Sequence, residues 1–220
     1  GTGNRGGRGP GTNVWRLYQA LDLTSNSPRQ VGIYHDGVGT EDNKFLRALG
    51  GAFGVGLKRN VIELYESLVN EFDVGDRIYL FGFSRGAYTA RLLAGLIYRC
   101  GIIDRAFLRG AHADAPGTSD RGVLRMLADE AYVHVQRAYR DSAYEGAKAF
   151  RDAYGCCFPS PKDTGEPSRI PPIKFIGVWD TVAAVGLPFA ELVDALDRFI
   201  PVRFDDRTLG CNVEHAYHAL

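Results

Sequence analysis

The clearest pattern in the chain is a pair of short, almost uniformly apolar segments, residues 77–83 (RIYLFGF) and 173–179 (IKFIGVW). Such runs are expected of parallel strands that are covered on both faces. Apolar residues recur at helical spacing over residues 57–72 and over residues 87–97. One helix is therefore predicted before the first strand and a second directly after it. A further short helix is predicted at residues 192–199.

Weaker patterns predict the rest of the chain. A helical period begins at Asn13, whose side chain can cap the helix, and the run QVGIY at residues 30–34 predicts a short strand. Residues 110–168 are the least regular part, with one helix predicted at about residues 122–139 among charged segments punctuated by Gly and Pro. We expect residues 102–170 to form an insertion or lid rather than part of the sheet core.

Together these elements predict the fold class. Strands that alternate with helices are typical of an α/β fold, here a three-layer sandwich with a mainly parallel sheet and right-handed crossovers. The length of 220 residues fits a single domain over residues 1–220. Residues 1–12 are rich in glycine and are typical of a loop, so a domain is not expected to begin this way.

A G-x-S-x-G motif lies between the first apolar strand and the helix that follows it. In residues 82–86 (GFSRG), Ser84 is flanked by Gly82 and Gly86. A serine at such a turn takes a strained backbone conformation, and the glycines let strand and helix approach closely, so that the hydroxyl stands clear of the sheet. We therefore predict Ser84 as a nucleophile. The alternative is that Ser84 only caps the helix through its side-chain oxygen.

A nucleophilic serine needs a base within hydrogen-bond reach and a carboxylate that orients the base. Asp180 is the candidate acid, because it directly follows the second apolar strand and so lies at the same edge of the sheet as Ser84. The alternative is that Asp180 caps the turn after it. His215 and His218 follow Asp180 in a segment with a helical pattern. His218 is our candidate base, and the alternative is that both histidines pack or face solvent as ordinary helix residues.

Two further features are candidates for binding the oxyanion and the substrate. Arg85 opens the second helix, so its backbone N–H is an expected oxyanion donor. The Arg85 side chain can bind an anionic substrate group such as a phosphate, or it can pair with a carboxylate. The segment after the strand predicted at residues 30–34 offers Asp36, Gly37 and Val38 as a second donor region. The alternative for this segment is a simple glycine-rich turn.

Composition narrows the classes of function. Lys plus Arg and Asp plus Glu number 26 each, so no net charge favours nucleic acid as a partner. No apolar run approaches the roughly 20 residues that span a bilayer, and no signal-peptide pattern begins the sequence, so a soluble, cytoplasmic chain is expected. The four cysteines, Cys100, Cys156, Cys157 and Cys211, match no zinc spacing and are expected to be free thiols. No metal, cofactor or protein partner is predicted.

With these residues assembled, the chain resembles a family of bacterial and fungal α/β-hydrolase domains with the signature G-F-S-R-G-A, which includes phospholipase effectors of type VI secretion. The resemblance rests on residues 34–40 (YHDGVGT), 82–91 (GFSRGAYTAR), 177–182 (GVWDTV) and 215–220 (HAYHAL). It implies an α/β-hydrolase-like fold with Ser84 as nucleophile and Asp180 as acid. It also implies hydrolysis of lipid or other carboxylic esters, those of glycerophospholipids in characterised members, and secretion as an effector.

The chain departs from the family pattern at both ends. Relatives open with an apolar strand that runs into Asp-Gly-Thr-x-Asn, whereas this chain begins with GTGN. Relatives also continue past the position of His218 towards a glycine-rich segment with a further histidine. We therefore expect an incomplete domain, truncated at both ends, whose base is His215, His218 or a histidine beyond residue 220.

Two hypotheses about function follow. The first is a metal-independent serine hydrolase of carboxylic esters, similar to a lipase or phospholipase, in which a histidine relays the proton from Ser84 and Asp180 orients that histidine. The second is a non-catalytic binding or structural domain that keeps the fold but lacks a working base in this chain. The position of the histidines relative to Ser84 separates the two hypotheses.

Overall fold

The computed structural model describes residues 11–36, 51–114, 119–159, 168–179 and 209–219. This part of the chain contains the helices α1 (Asn13–Gln19), α2 (Gly51–Glu71), α3 (Arg85–Cys100), α4 (Arg105–Asp114), α5 (Asp120–Asp141) and α6 (Glu145–Tyr154), and the strands β1 (Ile78–Phe83), β2 (Ile173–Trp179) and β3 (Val213–Ala219). The two apolar strands and the helices on either side of the first one are confirmed. The helix predicted at residues 192–199 lies outside the described residues.

The three strands form one parallel sheet in the order β1-β2-β3. At the carboxyl end of the central strand, Trp179 lies opposite Phe83 on one side and Ala219 on the other. Parallel strands with helices between them make this an α/β fold. The carboxyl ends of the strands meet along one side of the sheet, hereafter the C-terminal edge. The three-layer arrangement and the α/β-hydrolase topology stay predictions.

The core lies between the sheet and the helices, with α3 at its centre. This helix packs against β1 and β2, and α2, α5 and α6 pack against it in turn. Its small residues allow close approach, since a Cβ added at Gly95 would lie 2.6 Å from the hydroxyl of Tyr139 on α5. The buried residues of α3 are Ala87, Tyr88, Thr89, Ala90, Leu92, Leu93, Ala94, Gly95, Leu96, Ile97 and Cys100.

The part of the chain after α3 contains three helices, α4 to α6, where the sequence predicts one. The apolar side chains of Leu127, Tyr132 and Phe150 join the same buried cluster as α3. The prediction missed α4 and α6 because each has only 10 residues and lies beside segments rich in Gly and Pro, which hide the helical period. The interpretation of residues 102–170 as an insertion or lid stays a prediction.

The N-terminal segment differs from its prediction in two details. Helix α1 begins at Asn13 as expected, but Thr12 is the cap, and its side-chain oxygen accepts a hydrogen bond from the first turn. No strand forms at residues 30–34 within the described chain. Gly32 instead packs against α1, where an added Cβ would lie 2.9 Å from Tyr18. Contact with a helix has therefore replaced strand pairing, although the local sequence favours a strand.

Two buried tyrosines provide a matched test of the core. The Tyr65 hydroxyl on α2 donates to the carbonyl oxygen of Gly101 at 2.9 Å. The buried Tyr132 hydroxyl on α5 has no hydrogen-bond partner among the described residues. Burial raises the pKa of Tyr132 to about 12 and that of Tyr65 well above its ordinary value, so both stay protonated at neutral pH.

We expect Tyr65→Phe to lower the free energy of unfolding by about 1–2 kcal/mol, because it leaves a buried carbonyl without a donor. Tyr132→Phe is expected to be neutral or slightly stabilising, because it removes a buried polar atom that makes no bond. Urea unfolding of the two variants measures the difference. Equal losses of stability in both variants would contradict the assigned hydrogen bond.

Candidate active site

Ser84 forms the turn between β1 and α3. The strand ends at Phe83 and the helix begins at Arg85, so a single residue reverses the chain direction. The Ser84 backbone has φ 55° and ψ −123°, and Ser142 is the other residue besides glycine with positive φ in the described part of the chain. Such a conformation costs about 1–3 kcal/mol and is typical of functional sites. The strained strand–turn–helix geometry that the sequence predicts is present.

Gly82 allows the strand and the helix to lie this close together. A Cβ built on Gly82 would lie 2.4 Å from the carbonyl oxygen of Gly86, 2.5 Å from Cα of Ala87 and 2.7 Å from its backbone nitrogen. All three of these atoms belong to the backbone, so a side chain at residue 82 would have to move the helix itself. The turn that presents Ser84 thus depends on a residue without Cβ at this position.

Ser84 does not serve as a conventional helix cap. Its side chain makes no capping hydrogen bond to the first turn of α3, whereas the backbone N–H groups of Ala87 and Tyr88 donate to its carbonyl oxygen at 3.0 and 3.4 Å. The hydroxyl is therefore not needed for the helix start, which disfavours the capping alternative. The N–H groups of Arg85 and Gly86 remain at the open end of the helix, where the macrodipole is positive. An anion or a developing oxyanion is stabilised at such an end.

The chain leaves β2 directly beside Ser84. The Ser84 N–H donates to the carbonyl oxygen of Trp179 at 2.9 Å, and Phe83 pairs with Trp179 in the ladder. Asp180 itself lies outside the described residues. Because Trp179 is its chain neighbour, this hydrogen bond supports the expectation that residues 84 and 180 lie at the same edge of the sheet.

His215 and His218 lie on strand β3, and the helix predicted for this segment is wrong. They pair with Phe175 and Val178 of β2. His218 therefore shares a face of the sheet with Val178, and His215 faces the opposite side. Since β2 separates β3 from β1, about 10 Å lie between the backbones of β1 and β3 at this level. The spacing is large for a direct hydrogen bond between His218 and Ser84.

The segment of the predicted second oxyanion donor is described as far as Asp36. Its backbone carbonyl accepts hydrogen bonds from the side chain of Asn60 at 3.5 Å and from Nδ1 of His35 at 3.2 Å. His35 also contacts Glu63 of α2 at 2.6 Å. Gly37 and Val38 lie outside the described residues. The sequence gave no signal for Asn60 and Glu63, which look like ordinary solvent-facing residues of an amphipathic helix.

The cysteines are free thiols, as predicted. Burial raises the pKa of Cys100 to about 12 and that of Cys156 to about 11, so neither is a thiolate at neutral pH. Within the described residues, no group of three or more His, Cys, Asp or Glu side chains could hold a metal ion. None of the helices described is long and apolar enough to cross a membrane.

Comparisons with known proteins add a family. Residues 1–220 match the model of a family described as "T6SS, Phospholipase effector Tle1-like, catalytic domain". An uncharacterized protein of Saccharomyces cerevisiae is 34% identical over 118 residues, which are 48% of this chain and 17% of the yeast protein. The matched region is thus a small part of that relative. No solved structure matches the chain.

Proposed function

The chain belongs to the family of Tle1-like type VI secretion phospholipase effectors, matching its catalytic domain, and we propose that it hydrolyses carboxylic esters of phospholipids with Ser84 as the nucleophile. The observation that carries the proposal is the backbone of Ser84, which is strained between a buried parallel strand and a helix start although its side chain caps nothing. Strain without a structural benefit at the end of a central strand is expected of a catalytic serine.

The reaction we propose has two halves. The Ser84 hydroxyl oxygen attacks the ester carbonyl carbon while a histidine takes the hydroxyl proton, and the carbonyl oxygen becomes an oxyanion. The tetrahedral intermediate then collapses, and the alcohol leaves with the proton from the histidine. Water attacks the acyl-enzyme in the same way, which releases the fatty acid and restores the Ser84 hydroxyl. The backbone N–H of Arg85 and the Asp36 to Val38 segment are the proposed oxyanion donors.

Asp180 and His218 are the proposed partners of Ser84. Asp180 orients the histidine, and the hydrogen bond from Ser84 to Trp179 supports its placement. His218 is the candidate base, with His215 and a histidine beyond residue 220 as alternatives. The Arg85 side chain is a candidate ligand for the phosphate of the headgroup, close to the positive end of the α3 dipole.

A second function is favoured by one observation, the position of the histidines. Because β2 lies between Ser84 and His218, the residues of this chain can form a binding or structural domain without a working base. Such a domain would retain the strained serine but would not activate it.

A fluorophosphonate probe separates the two functions, because it reacts with activated serines. Tryptic cleavage after Arg77 and Arg85 yields a peptide of residues 78–85 in which Ser84 is the single serine. We expect the probe mass on this peptide in the full-length natural protein, together with release of fatty acid from phosphatidylcholine micelles. Labelling of the full-length protein but not of residues 1–220 would place the base outside this chain. An unlabelled Ser84 and no lipid hydrolysis in the full-length protein would reject the hydrolase and leave the binding domain.

A further inference from the structure

Three contacts hold the segment of residues 29–36 along the surface of α2. They are Arg29 to Glu71 at 3.4 Å, His35 to Glu63 at 2.6 Å and Asn60 to the Asp36 carbonyl oxygen at 3.5 Å. As the segment number rises from 29 to 36, its partner number on α2 falls from 71 to 60. The segment therefore runs antiparallel to α2, towards the helix N-terminus.

The N-terminus of α2 points to the edge of the sheet that carries Ser84. Two contacts near the end of α2 show its direction: Tyr65 donates to the Gly101 carbonyl oxygen, and Arg105 donates to the Asn70 carbonyl oxygen at 2.7 Å. Both partners, residues 101 and 105, come just after α3 ends. The two helices thus end on the same side and begin on the same side, and α3 begins next to Ser84. The segment of residues 29–36 runs towards that edge.

The contact between His35 and Glu63 is the shortest of the three contacts. The two ring nitrogens of His35 face a Glu63 carboxylate oxygen and the Asp36 carbonyl oxygen. Both are acceptors, so both contacts are satisfied when both nitrogens carry hydrogen. Arg59 donates to the other Glu63 oxygen at 2.8 Å. The groups that face His35 are thus Glu63 and its partner Arg59 on α2, and Asp36 on its own segment.

Glu63 remains charged at the pH where a hydrolase works. Burial opposes its charge, but the hydrogen bonds from Arg59 and His35 hold the pKa of Glu63 below its ordinary value. The donors stabilise the carboxylate, so their contribution is present above the ordinary carboxyl pKa and is lost as the pH falls through the lowered one. The contact therefore persists through neutral and mildly acidic pH.

We propose that Glu63 is a positioning residue: its carboxylate holds His35, and through His35 the Asp36 carbonyl, so that the residues after Asp36 approach the Ser84 edge in one conformation. The inference rests on the proposed function, in which these residues supply the second oxyanion donor. Glu63 touches no reacting atom in this scheme. Its removal would loosen the donor rather than the binding of substrate, and the effect would fall on kcat.

The test compares Glu63→Ala and Glu63→Gln in the full-length natural protein with a p-nitrophenyl ester. Loss of a whole oxyanion donor costs about 100-fold to 1,000-fold in kcat, so we expect a loosened donor in Glu63→Ala to cost about 10-fold to 100-fold, with KM within about 2-fold. Glu63→Gln keeps an acceptor oxygen for the His35 ring, and we expect it to recover most of the lost kcat. Melting temperatures measured alongside should stay close to the wild-type value.

Glu130→Gln is the matched control, because Glu130 contacts His134 at 3.4 Å in a second histidine–glutamate pair, far along the chain on α5. It should leave kcat unchanged. An active wild type with full kcat in Glu63→Ala would overturn the positioning role and leave the hydrolase intact. A loss in Glu63→Ala that Glu63→Gln does not recover, or that follows a fall in melting temperature, would also overturn it. An inactive, unlabelled wild type would reject the hydrolase itself.

Discussion

Replacing Ser84 by alanine is expected to abolish ester hydrolysis, with a loss in kcat on the order of 10,000-fold to 1,000,000-fold. The reason is chemical, since no other side chain occupies the single-residue turn between β1 and α3 where the proposed attack takes place. The fold should survive, because the Ser84 side chain makes no capping hydrogen bond. Fatty-acid release and probe labelling of the full-length protein, with circular dichroism as a check of folding, measure the effect.

Two further variants separate chemistry from backbone strain. Ser84→Gly removes the hydroxyl and also relieves the positive φ, so it should be inactive and more stable by about 1 kcal/mol. Ser142→Ala is the control, because Ser142 is the other non-glycine residue with positive φ in the described chain and is exposed after α5. It should keep full activity. A Ser84→Ala variant that hydrolyses lipid at the wild-type rate would remove Ser84 from the mechanism.

The sequence predicted the centre of the site because local and tertiary preferences agree there. The run at residues 77–83 is apolar on both faces, as a covered parallel strand requires, and Gly82 is needed by a contact that the motif itself implies. The same agreement holds for residues 173–179, which form β2 with the predicted bounds. The pairing of these two strands then places the start of the loop with Asp180 beside Ser84, as the chain order predicts.

The sequence failed where tertiary contacts override local pattern. Residues 213–219 contain Ala, Glu and two histidines three positions apart, a pattern that favours a helix, yet they pair with the open side of β2 and form β3. Residues 30–34 show the reverse case, since a β-favouring run packs on α1 instead. The role of Glu63 could not be predicted either, because its partner His35 is 28 positions away and only folding brings them together.

Adding one methyl group at the turn, in Gly82→Ala, is expected to destabilise the protein by about 3 kcal/mol or more and to lower kcat at least about 100-fold. The added Cβ would lie 2.4 to 2.7 Å from backbone atoms of Gly86 and Ala87, so α3 must shift, and a shift of about 1 Å at Ser84 suffices for that loss.

Gly110→Ala provides the control for the glycine at residue 82, because an added Cβ on α4 meets no atom within 4 Å. It should be neutral or stabilising by about 0.5–1 kcal/mol, as alanine favours helix more than glycine does. Chemical unfolding and hydrolysis of a soluble ester measure both variants. The reasoning from Gly82 to Ser84 requires that stability and kcat fall together: a Gly82→Ala protein that unfolds and hydrolyses like the wild type would show that strand and helix do not approach as closely as the strained serine requires.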